Sequence, residues 1–183
     1  MKKKLLLVVI VIIVGGIMEI NAQSRKVLTA YFSWSGNSRN IAEQIHSQVG
    51  GDIFEIKTVN AYPKDYEPTT QAAKKEQEIN ARPKLAMQVN NINSYDVIFL
   101  VYPIWWGTMP MAVFTFLESY NFSGKTIAVF CAHGGSGFGQ SINDIKKLLP
   151  QTIVREGLAI RGGLSSRSQN DIKTWLQKNG FIK

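Results

Sequence analysis

Five short apolar runs rich in β-branched residues alternate with stretches of helical spacing: Val27–Phe32, Ile53–Val59, Val97–Pro103, Ile127–Ala132 and Ile153–Ile160. Runs of this length predict strands, and their alternation with helices predicts parallel strands joined by crossover connections. The third run reads Val-Ile-Phe-Leu-Val-Tyr with no polar position, as expected of a strand covered on both faces. Ile41, Ile45 and Val49 repeat every fourth residue and mark the apolar stripe of a helix that stops at Gly50-Gly51. Further helices are predicted from Met111 to Tyr120 behind Pro110, from Phe138 to Leu149 before Pro150, and from Gln169 to Asn179 with Gly180 as C-cap. Residues 64–83 break the pattern. They are polar, rich in lysine and glutamine, bounded by Pro63 and Pro83, and predict a solvated helix where a buried one would be usual.

Right-handed crossovers on both faces lead to an α/β fold with a doubly wound five-stranded parallel sheet, order 2-1-3-4-5, and helices on both faces. The strand order reverses between the first and third strands, and ligands of such sheets sit at that reversal, against the strands' carboxyl ends. Residues 33–38, 103–110 and 133–139 form the loops there.

The first loop, Ser33-Trp34-Ser35-Gly36-Asn37-Ser38, puts three hydroxyls, an amide and a glycine where free backbone N–H groups and the positive end of a helix converge. This is a cradle for an anion, most naturally a terminal phosphate. The competing reading makes Asn37 or Ser38 an ordinary helix N-cap. No lysine stands in the loop, which argues against a triphosphate with its magnesium.

The second loop, Pro103-Ile104-Trp105-Trp106-Gly107-Thr108-Met109-Pro110, carries adjacent tryptophans that point in different directions, so that at least one meets solvent or a ligand. A large planar ligand accounts for both, each stacked indole contributing roughly 0.5–1.5 kcal/mol beyond area burial. The alternative is that the two rings close off the end of the sheet. The third loop, His133-Gly134-Gly135-Ser136-Gly137-Phe138-Gly139, has the glycine content that lets backbone N–H groups approach a ligand closely. It is not a dinucleotide fingerprint, because Gln140 stands where the third glycine is required and the loop follows the wrong strand.

Other matches fail. Gly124-Lys125-Thr126 has Ser119 in place of the upstream Walker glycine and precedes a strand. Gly134-Gly135-Ser136-Gly137-Phe138 misses the hydrolase elbow at its last position. Cys131 and His133 share a strand face, but a buried structural cysteine is favoured over a thiolate pair, since no acid or amide lies nearby in sequence to orient the histidine.

With 183 residues, 45% of them apolar, the chain suits one domain with one site. A formal charge of +8 favours anionic partners. There is no arginine-striped helix and no basic strand interleaved with aromatics, so nucleic acid is not expected. One cysteine and two histidines leave no internal disulfide and no Cys/His metal cluster. Lys2, Lys3 and Lys4 precede a charge-free run from Leu5 to Met18, the pattern of an export signal. That run is shorter than the ~20 residues that cross a bilayer, which favours a signal peptide spanning residues 1–22, cut after Ala22. Ile20 is large for the minus-three position, and an uncleaved N-terminal anchor is the alternative. Without residues 1–22 the chain remains at +6. The domain, residues 26–183, is expected outside the cytoplasm, periplasmic or extracytoplasmic, touching a membrane only through an uncleaved N-terminus.

One phosphate cradle, one planar-ring clamp and one amide-rich loop around a single crevice describe FMN. The segments Tyr-Phe-Ser-Trp-Ser-Gly-Asn-Ser, Pro-Ile-Trp-Trp-Gly-Thr and His-Gly-Gly-Ser-Gly-Phe-Gly, in this order and spacing, make the chain from Lys26 onward resemble the flavodoxin family, in particular a bacterial branch of it. The resemblance implies that Ser33, Ser35, Gly36, Asn37 and Ser38 hold the FMN phosphate. It implies that Pro103, Ile104, Trp105, Trp106 and Gly107 flank the isoalloxazine, and that His133, Gly134, Gly135, Ser136 and Gly137 face its pyrimidine edge. Independently of the resemblance, the N–H dipoles of the third loop would stabilise the reduced ring, an effect that a protonated His133 would strengthen. The resemblance further implies electron transfer through a non-covalently bound flavin. Well-known flavodoxins are acidic and this chain is basic, which points to a different, acidic redox partner protein. Many carry a tyrosine in the third loop; Phe138 is the only aromatic there, which leaves one ring face open and room for a substrate. Two alternatives follow: an NAD(P)H-dependent FMN reductase of quinones or nitro compounds, and a flavin-free binder of a phosphorylated aromatic ligand.

Overall fold

The computed structural model describes residues 25–183; the expected signal peptide, residues 1–22, lies outside the described residues. Strands β1 (Val27–Tyr31), β2 (Asp52–Glu55), β3 (Val97–Pro103), β4 (Thr126–His133) and β5 (Ile153–Arg161) form one parallel sheet in the order β2-β1-β3-β4-β5. Helices α1 (Asn37–Val49), α2 (Tyr66–Glu78), α3 (Met111–Glu118), α4 (Ser141–Leu148) and α5 (Gln169–Lys178) follow the strands in turn.

β3 shows why the sheet is doubly covered. Successive side chains of a strand point to opposite faces. Ile98, Leu100 and Tyr102 accordingly join Ala112, Phe116 and Ile145 in the core under α3 and α4, while Val97, Phe99 and Val101 join Ile41, Ile45, Ile172 and Leu176 under α1 and α5. β1 and β3 run in step, Val27 beside Val97 through Tyr31 beside Val101. Their carboxyl ends therefore finish at one level, and the loops that follow them emerge side by side. α2 buries only Thr69 and Ala73, in keeping with its polar sequence.

Two element boundaries fall three or more residues from expectation, and one element is unexpected. β2 ends at Glu55, not Val59. Ile56 turns into the core, and the next residues form a small antiparallel pairing instead, with Val59 N–H donating to the Lys84 carbonyl and Ala86 N–H to the Lys57 carbonyl, both at 2.8 Å. α4 begins at Ser141, not Phe138, because Gly137 and Gly139 take φ of 59° and 53°, which a right-handed helix does not admit. A six-residue 3₁₀ turn, Gly162–Arg167, which the sequence patterns do not mark, connects β5 to α5.

Candidate functional site

A cleft of about 680 Å³ opens at the carboxyl ends of the strands, a size typical of small-molecule sites. All three loops reach it. Trp34, Ser35 and Asn37 border it from the first, Pro103, Ile104, Trp105 and Trp106 from the second, and His133 and Gly134 from the third; Ser33, Gly36 and Ser38 do not border it.

In the first loop the N-cap of α1 is Gly36 with φ 88°, and no side chain caps the helix. Glycine adopts this left-handed conformation without a Cβ penalty, and the leading N–H groups of α1 have no intrahelical acceptors. Neither Asn37 nor Ser38 is the cap, which overturns the competing reading of this loop. Ser33 Oγ and Ser38 Oγ are buried without a hydrogen-bond partner, and such a hydroxyl costs about 1–3 kcal/mol when left unmatched. Asn37 acts as a strut: its Nδ2 donates to Ser35 Oγ at 3.1 Å, and its Oδ1 accepts from Ser165 Oγ at 3.0 Å. It thereby ties the loop to the 3₁₀ turn.

In the second loop Trp105 and Thr108 exchange backbone hydrogen bonds of 2.8 and 3.1 Å, while Trp106 and Gly107 between them take φ of 49° and 82°. Two positive central φ values identify a type I′ turn. Glycine fits it freely; a tryptophan there is strained by roughly 1–2 kcal/mol. Contacts with α2 hold it in place. Trp106 Nε1 donates to the Thr70 carbonyl at 2.8 Å, Gln77 Nε2 donates to the Trp106 carbonyl at 3.2 Å, and Lys74 Nζ lies 5.3 Å from the ring centre. Trp105 turns the other way and meets Phe32 and Tyr62 edge-on at 5.4 and 5.1 Å. One indole is thus rooted in the aromatic core below the cleft and the other on its outer wall.

In the third loop Gly137 N–H donates to His133 Nδ1 at 3.1 Å. His133 Nδ1 thus serves as an acceptor within its own loop. Gly135, Ser136 and Gly137 do not border the cleft; Ser136 and Gly137 border a shallow groove beside α4 and β5. Gly107, from the second loop, does not border the cleft either. Its carbonyl accepts the Gln140 N–H at 2.7 Å, and a Cβ at Gly139 would collide with that same carbonyl. Cys131 is fully buried and its thiol is pushed up to about 12, chiefly by burial and then by Glu156. It is a structural cysteine.

Two parts of the cleft wall have no counterpart in the sequence-based site. Tyr66, Thr69, Thr70 and Ala73 of α2 form one side; their spacing of three, four and seven from Tyr66 is a helical stripe, the one signal that marks them. Arg161, Gly162 and Gly163, after β5, form the other. Phe138 packs against the core and does not border the cleft. The additional aromatics there are Trp34 and Tyr66, with ring centres 6.3 Å apart, Trp34 Nε1 donating to the Pro63 carbonyl at 2.8 Å.

A sequence model of the family described as flavodoxin matches residues 26–179. No curated protein matches the chain by sequence. Among solved structures, a protein assigned as a flavoprotein from Bacteroides eggerthii is 31% identical, with a TM-score of 0.73 over 87% of this chain and 99% of its own. A second, from Bacteroides uniformis, is 26% identical with a TM-score of 0.72 over 84% and 98%. A flavoprotein from Lactobacillus acidophilus, solved in complex with FMN, shares the fold at 22% identity, with a TM-score of 0.67 over 82% and 98%.

Proposed function

The chain belongs to the flavodoxin family with FMN as its cofactor, and we propose that it is an electron-transfer flavoprotein holding FMN non-covalently in the cleft. The observation that carries this reading is the pair of buried, unpartnered hydroxyls, Ser33 and Ser38, at the uncapped start of α1. A phosphate dianion supplies the acceptors these groups lack and gains from the helix dipole.

FMN, when bound, supplies the capacity to take up and release electrons. The chain supplies position and surroundings. Ser33, Ser35 and Ser38 with the N–H groups from Gly36 onward grip the phosphate, and Asn37 keeps the loop in shape. Pro103, Ile104, Trp105 and Trp106 flank the ring, and Gly107 permits the turn that presents them. His133 and Gly134 face it from the third loop, with Gly135, Ser136 and Gly137 shaping the backbone that places them. His133 accepts from Gly137 N–H at Nδ1, which ties the imidazole to its own loop. Trp105, half-buried against Phe32 and Tyr62, excludes water from the floor.

Export through the N-terminal segment and transfer to an acidic protein partner complete the proposal, motivated by the lysine-led apolar run and the +6 charge that remains without it. A second reading, an NAD(P)H-dependent reductase of quinones or nitro compounds on the same cofactor, draws on the exposure of Tyr66 (74%) and Trp106 (52%) at the cleft mouth, where a planar acceptor has room. The test is the visible spectrum of the purified protein with and without added FMN, followed by anaerobic titration with NADPH. Flavin absorbance near one equivalent without NADPH oxidation supports the carrier. Steady NADPH oxidation with a quinone selects the reductase. A colourless protein that takes up no FMN at micromolar concentration refutes both and leaves a flavin-free binder.

A further inference from the structure

Of the seventeen residues that border the cleft, Arg161 is the only lysine, arginine or acid. Its place is fixed by the sheet: Arg161 is the last residue of β5 and pairs in register with His133, the last of β4. A Cβ built on Gly135 lies 3.8 Å from Arg161 Nη2, so the guanidinium runs alongside the third loop. Arg39 and Arg82 are matched by Glu55 and Glu118; among the described residues no carboxylate forms an ion pair with Arg161.

FMN that takes up two electrons and one proton carries one negative charge more than the oxidised form. A cation in the same cleft, in no ion pair among the described residues, favours that form electrostatically. A guanidinium stays protonated throughout the working pH range, so the charge that Arg161 contributes does not vary with pH. Given the FMN-binding reading above, we propose that Arg161 sets the redox poise of this protein: it raises the affinity for reduced FMN relative to oxidised FMN and so makes the bound cofactor a stronger oxidant. Arg161 is a tuning residue; the gripping of the phosphate belongs to the first loop.

The test measures FMN affinity of the full chain in the oxidised state and, with dithionite as reductant, in the reduced state, together with riboflavin affinity, for wild type, Arg161→Gln and Arg161→Lys. In Arg161→Gln the preference for reduced over oxidised FMN should fall about tenfold, the effect of one partly screened charge, which lowers a two-electron potential by about 30 mV. Arg161→Lys, which keeps the charge, should stay within about threefold of wild type. A ratio unchanged in Arg161→Gln overturns the proposal. So does a loss of the preference for FMN over riboflavin with the ratio unmoved, which would assign Arg161 to the phosphate. Failure of wild type to bind FMN in either state removes the reading on which the proposal rests, an outcome distinct from an unmoved ratio.

Discussion

Replacing Ser38 by alanine perturbs the phosphate cradle with opposite signs in two measurements. Ser38 is 1% exposed, and its Oγ has no partner in the protein. Removing a buried, unmatched hydroxyl relieves a penalty of about 1–3 kcal/mol, and alanine is the better helix former by a few tenths of a kcal/mol. Stability of the cofactor-free protein should therefore rise by about 1 kcal/mol, taking the low end of that range, which corresponds to roughly 2–4 °C in Tm for a domain of this size. The same change removes a hydrogen bond to a charged phosphate, worth about 1.5–3 kcal/mol, so FMN affinity should fall roughly 10- to 150-fold. Riboflavin, which lacks the phosphate, should bind both proteins alike. Urea unfolding of the cofactor-free proteins and fluorescence titrations with the two flavins give the three numbers. The reasoning fails if FMN affinity changes less than twofold, or if riboflavin loses as much as FMN does.

Gly139→Ala should cost about 2–3 kcal/mol, from its left-handed φ and the loosened Gln140 to Gly107 hydrogen bond, whereas Gly36→Ala, with a φ of 88° but open space around it, should cost only about 1 kcal/mol; thermal unfolding of the pair separates strain from collision. Trp106→Ala should weaken FMN binding about 2- to 12-fold, the loss of one stacked indole, with little effect on the melting temperature, since the ring is half-exposed. Burial alone would raise the Glu55 carboxyl, but hydrogen bonds from Lys57 and Arg39 outweigh it and hold it below the usual glutamate value. Its stabilisation is thus present above the unfolded-state value and lost as pH falls through the lowered one, so an unfolding series in acid should show the advantage of wild type over Glu55→Gln begin to shrink below the ordinary glutamate value of about 4.3 and vanish once the pH is below the lowered one.

The unbroken apolar run Val97–Tyr102 and the Ile41, Ile45, Val49 stripe expose the layered core in the sequence, because a strand covered on both faces and a one-sided helix each leave a periodic signature. The strand order follows from handedness, and with it the three loops that border the cleft. β2 misleads because the β-branched and apolar residues of Ile53–Val59 continue past the point where the chain leaves the sheet to meet Lys84–Ala86; composition does not say which strand a segment pairs with. Phe138 suggests an early start to α4, but the positive φ of Gly139 that forbids it is set by the approach of Gly107, a contact between segments distant in sequence. Arg161 looks like any solvated cation at a strand end. Only its register with His133 places it in the cleft. The α2 wall is hidden for a related reason: threonines and an alanine on a polar helix carry no hydrophobic signal, so their shared face reads as solvent until the helix is seen against Trp34 and Trp106.

The bond from Gln140 N–H to the Gly107 carbonyl, with Gly139 pressed against the same peptide, means that the segments after β3 and β4 are mechanically one piece. Transplanting either alone from a relative would leave a backbone acceptor unmatched and a turn unsupported. Engineering that aims to change what this crevice accepts must exchange residues 104–109 and 134–140 together, as a single cassette.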